Sequence, residues 1–218
     1  MSKYRSSRRR PRKKKNNKKR NIALLTLFAV ITVIIVGYIM LGTNGSNENS
    51  NLSQMKVLLE TNMGNIKIQL RSDMPITTTN FKNLVQQGVY DNTIFHRVIS
   101  DFMIQGGDPF GTGQGDPSIP DIQDELSESP ENRKNLRGTI SMAKKGDPIT
   151  GRAIANSASS QFFINVVNNS NEIFDEDYPV FGDVIEGIEV ADIISEVTTD
   201  DNDKPLEDVI LVKASIIE

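Results

Sequence analysis

FHRVISDFMIQGGD, residues 95–108, decides how this 218-residue chain is read. Taken as two strands, its first half alternates, so Phe95, Arg97 and Ile99 share one face and His96 and Val98 the other. An isolated arginine reads as a surface ion pair. Here the cation sits among apolar neighbours, beside Phe102, Met103 and Gln105, and a glycine pair follows that lets backbone approach backbone. That combination describes an apolar pocket with one polar handle.

The flanking sequence extends the strand reading. Val57 and Leu59 alternate with Lys56 and Glu60, and Ile66, Ile68 and Leu70 alternate with Lys67, Gln69 and Arg71. A turn at 61–64 makes these a hairpin with one apolar face. Pro75 suits an early helical position, and Thr77, Phe81, Leu84 and Val85 keep helical spacing before Gly88. Further β-rich runs cover 93–99, 102–106, 139–143, 161–167, 180–184 and 209–217, with a short helix at 188–197. Two helices among strands, without strand-helix alternation, predict a mainly β fold: a closed antiparallel barrel capped by two α-helices.

Composition removes several kinds of chemistry. The chain has no Cys and one His, His96. Disulfides, thiolate nucleophiles, thiolate zinc sites and multi-histidine metal sites are therefore excluded. Charge is divided along the chain: 12 of the 25 Lys and Arg precede residue 21, and the first acidic residue is Glu48. The remainder sets 13 cationic against 28 acidic residues, a net charge of −15.

Residues 22–41, IALLTLFAVITVIIVGYIML, are 20 positions without a charge. That length matches the hydrocarbon core of a bilayer and lacks the polar face of a buried helix. Residues 42–45, GTNG, offer no signal-peptide cleavage pattern, so the segment reads as a transmembrane helix retained as an anchor. The basic residues 1–21 then stay in the cytoplasm and the C-terminal domain faces outward, in a single-pass arrangement. This tail suits anionic lipid; it interleaves no aromatic for stacking on bases, which argues against nucleic acid. Residues 42–54 are small and polar, a flexible linker of about 20 Å, and 55–218 form the globular domain.

Five motifs occur in order across that domain: FHRVI at 95–99, FMIQGGD at 102–108, SMAKK at 141–145, SQFFI at 160–164 and PVFGDVIEG at 179–187. Together they resemble the cyclophilin family of peptidyl-prolyl cis-trans isomerases. The resemblance implies an eight-stranded antiparallel barrel with a helix over each open end, and no cofactor or metal. By position, Arg97 matches the family's catalytic arginine, and Phe102, Met103 and Phe163 match the pocket for the substrate proline ring. Gln105 and Gln161 match polar side chains beside it, and Ala143 with Lys144 the contacts to substrate backbone. His96 matches a histidine near the site, and Phe174 and Tyr178 the pocket's far wall.

The implied partners are proline-containing polypeptides, and the implied role is assisting the folding of exported or surface proteins. The domain is expected to act as a monomer. An alternative of another class is a proline-peptide-binding or chaperone module without turnover. Cys-free composition with one anchor suits a bacterial cell surface. The chain departs from human-type members in lacking the rim tryptophan that helps hold cyclosporin; Ile173 or Phe174 falls nearby. Its 144–160 segment is longer than in compact members and reads as an exposed loop beside the site. The acidic stretch 121–131 lacks the spacing of a calcium loop and reads as solvated.

Overall fold

The computed structural model describes residues 55–217. The expected basic tail, transmembrane helix and linker lie outside the described residues. Among those described, no helix is long and apolar enough to cross a membrane.

The expected hairpin is β1 (Lys56–Thr61) with β2 (Gly64–Leu70), paired from Lys56–Gln69 to Thr61–Gly64. Val57, Leu59, Ile66, Ile68 and Leu70 are buried, as alternation with charged residues requires. Seven more strands follow: β3 (Thr93–Ile94), β4 (Arg97–Ile99), β5 (Met103–Gly106), β6 (Thr139–Met142), β7 (Phe162–Asn165), β8 (Val180–Glu186) and β9 (Ile210–Ile217). They form one antiparallel sheet in the order β3-β9-β1-β2-β8-β6-β7-β5-β4. Register shifts between Glu60 and Thr61, Lys67 and Ile68, and Ile140 and Ser141 curl it, since bulges increase local twist.

Two expectations are corrected here. The sheet has nine strands rather than eight, and its ladder does not close: β3 and β4 are its two edges. The cause is at Phe95 and His96. Phe95 donates its N–H to the Val209 carbonyl at 2.9 Å, and both side chains are buried, so 93–99 is not one alternating strand. The chain instead turns a corner from the β9 edge to the β5 edge, a gap crossed by an isolated bridge between Ile94 and Asp108. Phe95 therefore points into the core against Phe162 (ring centroids 6.3 Å apart), not onto the face of Arg97.

Three α-helices, not two, accompany the sheet among the described residues. Helix α1 (Pro75–Gln86) buries Thr77, Thr78, Phe81, Leu84 and Val85 and packs on β8 and β9. The added helix, α2 (Glu172–Asp177), is six residues long, too short for a periodic signal. It begins at Asn171, whose side chain accepts from the Phe174 N–H. Helix α3 (Ile188–Ser195) packs against β2, β4 and β5. It starts at Gly187, at φ 84°, where a Cβ would lie 2.1 Å from the Asn65 carbonyl oxygen. Only glycine fits there, on both backbone and steric grounds.

Candidate active site

Register across the open part of the sheet separates core from site. Val98, Ile104, Ile164 and Ile140 stand in line through β4, β5, β7 and β6, and all are buried in the core. The neighbouring line, one residue away, is Arg97, Gln105, Phe163 and Ser141. Because successive side chains in a strand point to opposite faces, this second line lies on the outer face of the curled sheet.

There Arg97, Phe102, Met103, Gln105, Ala143, Lys144, Phe163, Phe174 and Tyr178 line a cavity of about 120 Å³. That is roughly four times the share of liquid volume of one water, about 30 Å³, and suits a small ring. Phe174 ties the wall together, with ring centroids 5.9 Å from Phe102, 5.8 Å from Phe163 and 4.7 Å from Tyr178. Burial, with a smaller contribution from Asp177, raises the Tyr178 phenol's pKa, so it stays neutral. Ile173 is exposed outside the wall and Phe174 is within it.

Two expected residues do not line this cavity. Gln161 lines an adjoining polar cavity of about 380 Å³ with Gly113, Gln114, Gly115, Lys145 and Ser159. It links the two spaces, accepting from the Gln105 amide at 3.0 Å and donating to the Gly113 carbonyl at 3.2 Å. His96 is only 7% exposed, and neither ring nitrogen has a hydrogen-bond partner. It lies beside Gly113, beneath the 109–115 loop. Burial lowers its pKa, against the opposing pull of Asp108; the Gln161 amide also favours the charged form but is already engaged elsewhere. His96 is a nearly buried, neutral ring beneath the loop and is not among the residues lining the cavity beside Arg97.

Lys144 contributes its stem and backbone, not a free charge. Its side chain is 4% exposed and its Nζ is bound to Asp124 at 2.7 Å. Asp124 also accepts from the Asn156 N–H, and the Asn156 side chain accepts from the Asp124 N–H. The acidic stretch read as solvated is thus a working part of the fold: Asp121 binds Lys145 and Glu125 accepts from the Thr77 N–H. The 144–160 segment is likewise held. Arg152 makes a bidentate pair with Asp177 at 2.7 Å, next to Tyr178. Nothing in spacing announced these pairs, because each joins residues distant in sequence.

Asp108 closes the glycine-rich loop that roofs His96. Its carboxylate is fully buried and accepts from the N–H groups of Phe110, Thr112, Gly113 and Gly115 and from the Thr112 hydroxyl. Burial alone would raise its pKa, but these donors outweigh it and hold the group below the usual carboxylate range. A depressed folded value means the stabilisation is present above the unfolded value near 3.9 and is lost as pH falls through the folded one. Asp108→Asn is therefore expected to cost about 2 kcal/mol at neutral pH. In urea titrations the gap between wild type and variant should narrow steadily below about pH 4. A gap independent of pH would show that the charge is not what holds the loop.

Comparisons with known proteins show the family. The family model for cyclophilin type peptidyl-prolyl cis-trans isomerases matches residues 56–216. Peptidyl-prolyl cis-trans isomerase-like 3 of Dictyostelium discoideum is 42% identical over 166 residues, covering 74% of this chain and 95% of that protein. Peptidyl-prolyl cis-trans isomerase A of Dickeya dadantii is 39% identical over 170 residues, covering 74% and 84%. The crystal structure of a Cryptosporidium parvum cyclophilin-type isomerase in the presence of the dipeptide Ala-Pro superposes with a TM-score of 0.65. It shares 34% identity, covering 75% of this chain and 99% of that one. The chain belongs to the cyclophilin family and is a peptidyl-prolyl cis-trans isomerase. Proline-containing peptides are its substrates.

Proposed function

We propose that this isomerase acts from a membrane surface: residues 22–41 anchor it, the basic tail meets anionic lipid in the cytoplasm, and the domain works outside a bacterial cell on exported or surface proteins. Within that reading Arg97 is the catalytic residue. The carrying observation is one guanidinium beside a cavity whose wall is built mainly of Phe102, Met103, Phe163, Phe174 and Tyr178, with Gln105, Ala143 and Lys144 completing it. The 20 uncharged residues after a tail of 12 positive charges support the anchor.

Rotation of an Xaa-Pro amide is slow because the nitrogen lone pair is delocalised into the carbonyl, a barrier of about 18 to 20 kcal/mol. No covalent bond breaks, so the task is to bind the twisted amide better than either planar form. The proline nitrogen becomes a good acceptor only when conjugation is lost, and a guanidinium N–H donated there acts on the twisted state alone. A gain of about five orders of magnitude requires roughly 7 kcal/mol, and one charged hydrogen bond supplies about 1.5 to 3 kcal/mol. The aromatic wall provides the rest by holding the ring while the flanking chain turns, with Gln105 and the backbone at Ala143 fixing that chain.

The placement is tested with a terminal tag on each end of the full chain. Protease added to intact cells is expected to digest the C-terminal domain and spare the N-terminal tag until the membrane is permeabilised. A domain protected in intact cells would sink the outward orientation, and recovery of the full chain in the high-salt-washed supernatant would sink the anchor.

A further inference from the structure

We infer that Asp203, in the loop between α3 and β9, is a positioning residue that aims the Arg97 guanidinium into the proline cavity; the inference rests on Arg97 being catalytic. Arg97 stands on a strand of three residues at the open edge of the sheet, and its side chain is 42% exposed. A long side chain so placed samples many rotamers unless something holds it. Among the described residues its one hydrogen-bonded partner is Asp203, whose Oδ2 lies 3.3 Å from Arg97 Nε.

The loop is built to deliver that carboxylate. Asp200 Oδ1 accepts from the N–H groups of Asn202 and Lys204, both at 2.9 Å, and the Asp200 N–H donates to the Lys204 carbonyl at 2.8 Å. The Asp203 N–H donates to the Asp200 carbonyl at 3.1 Å, and a bridge between Thr199 and Pro205 closes the loop base. Asp203 takes φ 63°, a left-handed conformation that aspartate tolerates better than most residues. Its carbonyl accepts from the Val98 N–H at 2.8 Å while its side chain takes Arg97. One residue thus grips two successive positions of β4, by backbone and by side chain.

The choice of atom matters. A guanidinium has five N–H donors. Engaging Nε fixes the plane of the group and leaves both terminal nitrogens free for substrate. Gln105, opposite Arg97 in the β4 and β5 register, makes no side-chain hydrogen bond to it; its Nε2 donates to Gln161 instead. An ion pair this exposed contributes little to folding, so removing it separates aim from stability.

The experiment uses the full-length protein in detergent micelles, with turnover and affinity measured separately by NMR exchange on an Ala-Pro-containing peptide. Asp203→Ala is expected to lower turnover about tenfold, to leave peptide affinity within about twofold, to lower melting by no more than a few degrees because alanine fits φ 63° less well, and to lose the slowed solvent exchange of the Arg97 Nε–H. Asp203→Asn, which keeps an acceptor, should recover most of the turnover. In an Arg97→Ala background Asp203→Ala should have no further effect. The inference is overturned if Asp203→Ala turns over like wild type, or if its loss persists undiminished in the Arg97→Ala background. If Arg97→Ala alone matches wild type, the catalytic reading of Arg97 fails, and that arm identifies it independently of Asp203.

Discussion

Replacing Arg97 by alanine is expected to reduce turnover by a factor of about 10² to 10³ while changing peptide affinity by less than about threefold. The magnitude follows from what a preorganised donor supplies to charge that develops only in the transition state, about 2.7 to 4 kcal/mol in comparable cases. Affinity should change little because the planar proline nitrogen is a poor acceptor, and ground-state binding is carried by the rings of Phe102, Phe163, Phe174 and Tyr178. Arg97 and Asp203 are both partly exposed, so the variant leaves no buried charge unpaired and the fold should persist. Arg97→Lys should recover little: an ammonium offers a point charge on a flexible stem and has no second edge for Asp203 to hold. Equal losses in turnover and affinity would mean that Arg97 binds the planar peptide rather than the twisted one.

The parts of this molecule legible in its sequence are those governed by short-range periodicity. Val57, Leu59, Ile66, Ile68 and Leu70 announce β1 and β2 because charged residues alternate with them, and Phe81, Leu84 and Val85 announce α1. The five ordered motifs bring seven expected residues to one cavity, which Phe174 and Tyr178, matched outside the motifs, complete. Periodicity failed where a side chain answers to a distant partner. Phe95 fits an alternating strand by type, yet the Val209 carbonyl and the Phe162 ring pull it into the core and break the strand beside it. Asp203 lies in the acidic run DDND, where composition suggests only solvation; its partner is 106 positions away. Asp124 and Lys144, or Arg152 and Asp177, are opposite charges among many, and only the folded chain selects the pairs. The cavity walls could be read locally, whereas the contacts that hold them in place are made between loops.

Phe162 and Phe163 make that division testable within a single strand. They are adjacent in β7, so one ring faces the core and the other the site. Phe162 is fully buried, with ring centroids 5.6 Å from both Phe81 and Tyr90 and 6.3 Å from Phe95. Truncating it leaves a cavity beside the rings of Phe81, Tyr90 and Phe95, and Phe162→Ala is expected to cost about 3 to 5 kcal/mol. That should appear as a lower urea midpoint with an unchanged slope. Phe163, though only 4% exposed, lies outside the core cluster to which Phe162 belongs and packs against Phe174 and Tyr178, so Phe163→Ala should cost less stability than Phe162→Ala. Its loss falls on substrate: surrendering the apolar burial of a proline ring, about 1.5 to 3 kcal/mol, lowers peptide affinity by roughly 10- to 150-fold. The two variants should therefore cross over, one unstable but normal in affinity at low temperature, the other stable but weak in binding. If Phe163→Ala unfolds as readily as Phe162→Ala while keeping wild-type affinity, the outer face of β7 is not where the proline ring binds.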